Sequence, residues 1–275
     1  MDNIYLPHLA EIIDIKQETP DVKTFKLRFC DRKIEESFSY IPGQFVEFSV
    51  MGEGEAPFCI SNSPTRRPAI ECSVKRMGKV TQALHQLDVG DTVGVRGPYG
   101  NGFQVEELRG KNLLFVAGGI GLAPLRALLN YCLDKRSDFG AITVVNGART
   151  SKDLVYKDEY AVWEKAKDAR LYLTIDCQED NWACMVGVVP NILEQIKPDC
   201  KNSVAIVCGP PIMIRFTMPV ILKLGFCPEA IITTLEMKMK CGLGKCGRCN
   251  ISHLYVCKDG PVFNYSQLEK LKVEI

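Results

Sequence analysis

The strongest constraint on this chain is a change of texture at Lys111. Beyond it, short apolar runs, "NLLFVAG", "AITVVNGA", "ARLYLTID" and "NSVAIVCGP", alternate with segments of helical period, "APLRALLNYCLDKR", "DEYAVWEKAK", "VPNILEQI" and "PIMIRFTMPVILKLG". Parallel strands need a crossover of helix length, so the alternation predicts an α/β doubly wound parallel sheet with helices on both faces. Before Lys111 the runs are β-like: "AEIIDIKQET", "VKTFKLRFC", "QFVEFSV", "FCISNS", "AIECSVKR" and "DTVGVRG". Pro, Gly, Asp and Asn separate them at the spacing of a small antiparallel barrel or sandwich, interrupted by one helix, "VTQALHQL". A last strand-like piece, "EAIITTLE", leads into a cysteine-rich stretch.

A length of 275 residues suits about two domains and a short appendix. A formal charge of +1 leaves no electrostatic footprint for nucleic acid. No apolar run approaches the roughly 18 residues of a membrane span, and the opening "MDNIYLPHLAEIID" lacks a basic start and apolar core, so a cytoplasmic location is expected. The 13 cysteines are an odd number and scattered, unlike a short secreted disulfide framework. Most of Cys30, Cys59, Cys72, Cys132, Cys177, Cys184, Cys200, Cys208 and Cys227 are expected to be core filler in a reducing, low-oxygen interior.

In "LLFVAGGIGLAPLRALL" a buried strand breaks into Gly118, Gly119, Ile120 and Gly121 and opens a helix with Pro124 in its first turn. Glycines let the backbone approach a phosphate, and the helix N-terminus offers unpaired N–H groups; a plain tight turn is the alternative. The third glycine of the common dinucleotide fingerprint is absent, and no acid ends the next strand at "VVNGART", which disfavours a Rossmann enzyme of the common type. About ninety residues on, "IVCGPPIM" repeats the strand-end logic, so Cys208, Gly209 and Pro210 are expected to line the same crevice. By itself Cys208 reads as a small core residue rather than a reactive thiol.

Near the C-terminus "CGLGKCGRCN" and a later cysteine give Cys241, Cys246, Cys249 and Cys257, a C-x4-C-x2-C run with a distant fourth member. This is the plant-type [2Fe–2S] spacing, and Gly242, Gly244 and Gly247 suit a loop wrapped on a cluster. Structural zinc more often uses repeated close pairs; zinc, and free thiols or a disulfide, remain the alternatives. Lys240, Lys245, Arg248 and Lys258 surround the stretch, either meeting an acidic partner or lying on a solvated surface. Of the three histidines, His8 and His85 read as structural, and His253 is not needed as a ligand.

"GGIGLAPL" with "CGPP", behind a β-rich segment carrying "PFCISNSP" and "GKVT", resembles the ferredoxin-NADP reductase superfamily from about Tyr5 to Phe263. Within it the likeness is nearest to hydrogenase gamma subunits, the corresponding flavin-binding component of anaerobic sulfite reductase and the electron-transfer subunit of dihydroorotate dehydrogenase. The resemblance implies an FAD-binding β-barrel over residues 1–108, an NAD(P)-binding α/β domain over 109–228 and a [2Fe–2S] segment over 229–275. The family's Arg-x-Tyr-Ser motif falls on "APFCIS", so Ala56 replaces the arginine, Phe58 the tyrosine and Cys59 the serine, with Ile60 and Ser61 following. Phe58 keeps an aromatic face for the flavin, while Lys75, Arg76 or Arg66 stands in for the lost positive charge. Gly78, Lys79, Val80 and Thr81 open the helix expected at the FAD pyrophosphate, Thr81 reading equally as a cap. FMN is the competing flavin. "GPYGNGF", Gly97 to Phe103, reads as a turn ending the barrel.

These three cofactor sites describe a chain that passes electrons between NAD(P)H, FAD and a [2Fe–2S] cluster, with no catalytic acid or base required. Having no terminal catalytic domain, it is expected to serve a partner subunit: hydrogenase-type, sulfite reductase, dihydroorotate dehydrogenase or a bifurcating complex, leaning to the hydrogenase type. A redox- or nucleotide-sensing regulatory subunit without turnover is the alternative from another class, and a zinc-stabilised adaptor a third. The acidic "DCQEDN" ending the third strand favours NAD(H) over NADP(H), whereas Arg149 after the second argues the other way.

Overall fold

A computed structural model describes residues 3–271. The first sheet is built from β1 (His8–Thr19), β2 (Val22–Phe29), β3 (Phe45–Val50), β4 (Gly54–Cys59), β5 (Ile70–Lys75) and β6 (Thr92–Tyr99). All its pairings are antiparallel, in the order β4-β3-β6-β1-β2-β5. The sheet curls until its edges meet: just past β4, the Ser61 amide and hydroxyl both donate to the Glu71 carbonyl on β5, at 2.7 and 3.1 Å. Alternate residues such as Phe25, Leu27, Val46, Phe48, Val93 and Val95 fill the interior, as period-2 patterning requires. Two short helices cover it: α1 (Arg32–Ser37), capped by Asp31, and α2 (Lys79–His85).

The second sheet follows the predicted alternation: β7 (Asn112–Gly118), α3 (Leu122–Asp134), β8 (Ile142–Ala148), α4 (Tyr160–Lys165), β9 (Ala169–Ile175), β10 (Met185–Val186), α5 (Val189–Ile196), β11 (Ser203–Cys208), α6 (Pro211–Lys223) and β12 (Ile231–Thr234). The C-terminal segment adds the hairpin β13 (Asn250–Ile251) and β14 (Leu254–Tyr255), α7 (Val256–Asp259), β15 (Val262–Asn264) and α8 (Tyr265–Lys270). The sheet order is β10-β9-β8-β7-β11-β12-β15, parallel except for β15. Alternation along β7 divides the cores: Leu113, Phe115 and Ala117 pack with α3, Leu114 and Val116 with α5 and α6. Strand order reverses between β7 and β11, the point at which an open α/β sheet leaves a crevice at its carboxyl edge.

Three of the anchors between the units are side-chain clusters around Arg126, Arg66 and Asn101. Arg126 of α3 donates to the Ser61 carbonyl (3.1 Å) and to Glu71 (2.7 Å) of the barrel, holds Glu159 at 2.6 Å, and lies 4.6 Å over the Tyr156 ring. Arg66 forms a fork with Asp134 at 2.9 and 3.0 Å. The Asn101 side chain is bonded to the backbone of Asp259 and Val262, tying the barrel's exit to the C-terminal segment.

Three expectations need correction. Of the nine scattered cysteines Cys72, Cys132 and Cys208 are buried and Cys59 and Cys200 pack against the cores, but Cys30, Cys177, Cys184 and Cys227 are exposed, because they stand in loops between elements where no core reaches. The fourth β-like run begins earlier than "FCISNS", at Gly54, and stops at Cys59, because Ser61 and Asn62 turn to bond with β5 and its approach. The turn read over Gly97 to Phe103 starts only at Gly100, since β6 continues through Tyr99 opposite Phe45.

Candidate functional site

The two glycine loops meet backbone to backbone at the switch point. Cys208 is the parallel partner of Ala117, and a Cβ on Gly121 would lie 2.6 Å from both the Cys208 oxygen and the Gly209 Cα. A Cβ on Gly118 would meet the Met213 side chain of α6, which would have to move aside. Gly119 differs: its φ is +54° and open space lies where a Cβ would be, leaving its backbone facing the crevice. Ile120 and Pro124 follow on a short 3-10 turn and the first turn of α3.

The same crevice receives Cys59 from the end of β4, Cys208 from the end of β11 and Glu236 from just beyond β12. Burial pushes the Cys208 thiol up to about 12 despite the Thr234 hydroxyl that donates to it at 2.9 Å. Burial raises the Cys59 thiol also, helped by Cys72 and Cys208 nearby. Both thiols therefore stay neutral and unreactive near neutral pH. Glu236 is open to the cleft, yet the surrounding protein raises its carboxyl, and its charge bears on both thiols. Glu236 went unread in the sequence; its place after a strand that ends at the same sheet edge is the signal that could have found it.

On the barrel side, Phe58 stands edge-on to Phe48 at 5.9 Å, and Ala56 pairs with Phe48 across the ladder. Thr81 accepts from the Met77 and Gly78 amides, each at 2.8 Å, and donates back to the Gly78 carbonyl, so its hydroxyl closes the turn before α2. Lys79 lies 3.1 Å from Glu53 and Lys75 lies 3.4 Å from Asp21, both at the surface. Arg66 is held by Asp134. Val80 packs against the barrel core, Ile60 lies within it, and Arg149 is exposed beyond β8.

The four clustered cysteines come together as two pairs. Cys241 lies within hydrogen-bonding reach of Cys246, and Cys257 within reach of Cys249. Among the described residues no three His, Cys, Asp or Glu side chains converge as ligands of a single ion would. A binuclear cluster takes thiolates in such pairs, two to each iron. Backbone amides are aimed at the sulfurs: Leu243 and Lys245 donate to Cys241 at 3.4 and 3.3 Å, and Gly244 donates to Cys257 at 3.1 Å. Burial opposes ionisation of Cys241, but the amides of Leu243, Cys246 and Lys245 outweigh it and lower the thiol. Gly242, Gly244 and Gly247 have φ of +71°, +70° and +71°, the left-handed turns that swing N–H groups inward. Amide donors and paired thiols fit an iron–sulfur cluster. Cys249 and Cys257 are buried, whereas Cys246 is exposed near the exposed Lys240, Lys245, Arg248 and Lys258.

A curled antiparallel barrel, a parallel sheet with its crevice at the switch point and a paired-thiol loop define a flavin- and nicotinamide-dependent oxidoreductase with an iron–sulfur appendage. Three family models match in chain order: an oxidoreductase FAD-binding domain over residues 9–103, an oxidoreductase NAD-binding domain over 115–218 and the iron–sulfur cluster binding domain of dihydroorotate dehydrogenase B over 236–269. The sulfhydrogenase 1 gamma subunit of Pyrococcus furiosus is 40% identical over 96% of this chain and 92% of its own length. A probable dihydroorotate dehydrogenase B electron-transfer subunit of Methanocaldococcus jannaschii is 34% identical over 94% and 89%. A solved chain of NADH-dependent reduced ferredoxin-NADP oxidoreductase superposes with a TM-score of 0.76 at 27% identity, covering 95% of this chain and 91% of that one. The chain belongs to the ferredoxin-NADP reductase-like family of these electron-transfer subunits and is an NAD(P)H-dependent flavin and iron–sulfur oxidoreductase. No helix among the described residues is long and apolar enough to cross a membrane.

Proposed function

We propose that this chain is the NADH-side electron-transfer subunit of a cytoplasmic complex, exchanging electrons through FAD and a [2Fe–2S] cluster with a hydrogenase-type catalytic partner. The observation that carries this reading is the position of Phe45. It is the cross-strand partner of Cys59 at the flavin strand's end, and it shares one apolar core with Cys249 and Cys257. The flavin strand and the buried thiol pair are thus neighbours through one aromatic side chain. When bound, nicotinamide and flavin supply two-electron chemistry and the cluster one-electron chemistry. The chain's residues hold, orient and keep dry.

In this reading residues 1–108, 109–228 and 229–275 are the flavin, nicotinamide and cluster segments, a division supported by the three matched intervals, each of which falls inside one of them. Phe58 and Cys59 line the flavin, with the buried Ile60 and Ser61 behind them fixing the end of the strand. Gly78, Lys79, Val80 and Thr81, with Lys75, hold its phosphates, and Gly118 to Gly121, Pro124, Arg149, Cys208, Gly209 and Pro210 receive the nicotinamide nucleotide. Cys241, Cys246, Cys249 and Cys257 are the cluster ligands. The exposed lysines and arginine around Cys246 make that side the face for the partner, with the two sulfhydrogenase gamma subunits among the relatives supporting a hydrogenase type.

NAD(H) is favoured by Glu179, which accepts from both the amide and the hydroxyl of Ser151 at 3.1 and 2.6 Å. A carboxylate is thereby locked against the loop after β8, and in this reading it faces the adenosine ribose and outweighs Arg149 of the same loop in disfavouring a 2′-phosphate. The test is anaerobic addition of NADH or NADPH to the isolated holoprotein, followed by visible and EPR spectra. NADH should bleach the flavin and produce a reduced-cluster signal faster than NADPH does. Protein without iron and acid-labile sulfide, or flavin that NADH leaves oxidised, would overturn the reading.

A further inference from the structure

Arg96 on β6 is a buried cation inside the barrel's outer layer, with 5% of its surface exposed. Glu55 on β4 takes its Nε, at 2.8 Å, and its Nη2, a fork that pins the guanidinium to the barrel. Hydrogen bonding to Glu55 in turn holds Arg96 firmly charged. The remaining nitrogen, Nη1, reaches out of the barrel: it donates to the Tyr99 hydroxyl at 3.0 Å and to the carbonyl of Cys241 at 3.3 Å. Tyr99 covers the next residue so closely that a Cβ on Gly242 would lie 2.7 Å from its ring.

The choice of partners is informative. Glu47 is the direct cross-strand partner of Arg96, is fully buried, and has neither carboxyl oxygen hydrogen-bonded. The guanidinium makes no hydrogen bond to that neighbouring carboxyl and spends Nη1 on a tyrosine and the carbonyl of a cysteine 145 residues away in sequence. Glu55 already neutralises the guanidinium, which leaves Nη1 free to hold the Cys241 loop.

We propose that Arg96, held by Glu55 and backed by Tyr99, is a positioning residue that fixes the Cys241–Gly242 peptide, and with it the cluster, at a set place and charge environment relative to the flavin barrel. The inference rests on reading the four cysteines as cluster ligands. Outer-shell partners of metal ligands change affinity or activity by about 10- to 100-fold when removed, and lysine cannot reproduce the planar fork.

The experiment compares wild type with Arg96→Lys and Tyr99→Phe as anaerobically purified holoproteins. It measures iron, sulfide and flavin content, the EPR-monitored midpoint potential of the cluster, and the rate at which the cluster is reduced after the flavin. Arg96→Lys should keep flavin reduction by NADH, shift the midpoint potential and slow cluster reduction about tenfold, or shed the cluster while retaining flavin. Tyr99→Phe should move the same readouts less. Wild-type potential and cluster-reduction rate in Arg96→Lys would overturn the inference. If Arg96→Lys does not fold, Glu55→Gln, which replaces the charged two-oxygen fork by a single neutral acceptor, decides by the same two readouts. A wild-type protein without iron and sulfide instead defeats the underlying ligand reading, so the two failures are distinct.

Discussion

Phe45 on β3 and Cys59 on β4 face each other across an antiparallel ladder, and the Phe45 ring lies in the apolar core that also contains Cys249 and Cys257. One side chain therefore joins the end of β4 to the inner thiol pair. Phe45 is 3% exposed and also packs on Tyr99, at 5.9 Å between ring centroids. Truncating Phe45→Ala should cost about 3 kcal/mol of stability, by lost burial and a residual cavity. The cluster should be reduced more slowly after NADH addition, with flavin reduction itself preserved. Denaturant unfolding and stopped-flow absorbance check the two parts.

Cys257→Ala and Cys246→Ala probe opposite ends of the paired thiols. Each should lower iron and acid-labile sulfide while the FAD stays bound, because the barrel's own core contains none of these four residues. Metal and flavin analyses of the same preparation provide the check.

At the switch point, Gly121→Ala would place a methyl about 2.6 Å from the backbone of Cys208 and Gly209. Backbone cannot give way as a flexible side chain does, so the two loops must part, at about 1 to 3 kcal/mol. The expected result is a raised KM for NADH with dye reduction impaired, read by steady-state kinetics with an artificial acceptor.

Arg126 joins Glu71 and Glu159 across the interface between barrel and α3, with its side chain only 10% exposed. Arg126→Met leaves two carboxylates facing each other without a cation, and should destabilise by about 3 kcal/mol. Replacing all three by apolar or amide groups should recover much of that loss. Thermal unfolding of the single and triple variants distinguishes them.

His85 has its pKa lowered from 6.5, first by burial and then by the charges of Lys23 and Arg76, against the raising effects of its bond to the Val74 carbonyl and of Asp21. The folded chain thus binds fewer protons on this ring than the unfolded chain does. Its contribution is fully present above about pH 6.5 and is lost as pH falls through the unfolded and then the folded value. Stability should decline below about pH 6.5 more steeply in wild type than in His85→Gln, measured by urea unfolding across that range.

Much of this was written in local pattern. Alternation of period 2 and helical period marked both sheets, because side-chain direction repeats with the backbone that carries it. The glycines of "GGIGLAP" and "CGLGKCG" marked turns that need positive φ or close approach, a property of the residue and not of its surroundings. The spacing of Cys241, Cys246, Cys249 and Cys257 named the loop. What the sequence could not show is which distant residues become neighbours. Glu236 joins Cys59 and Cys208 only because β4, β11 and β12 end at one crevice. Arg96, read nowhere in the linear pattern, meets the Cys241 carbonyl because the C-terminal segment returns to the barrel. The exposed cysteines went astray for the same reason: burial is decided by what packs on a turn, and no residue carries that information alone. Local chemistry is fixed by residue type and spacing, whereas the electron path and its supports follow from long-range packing.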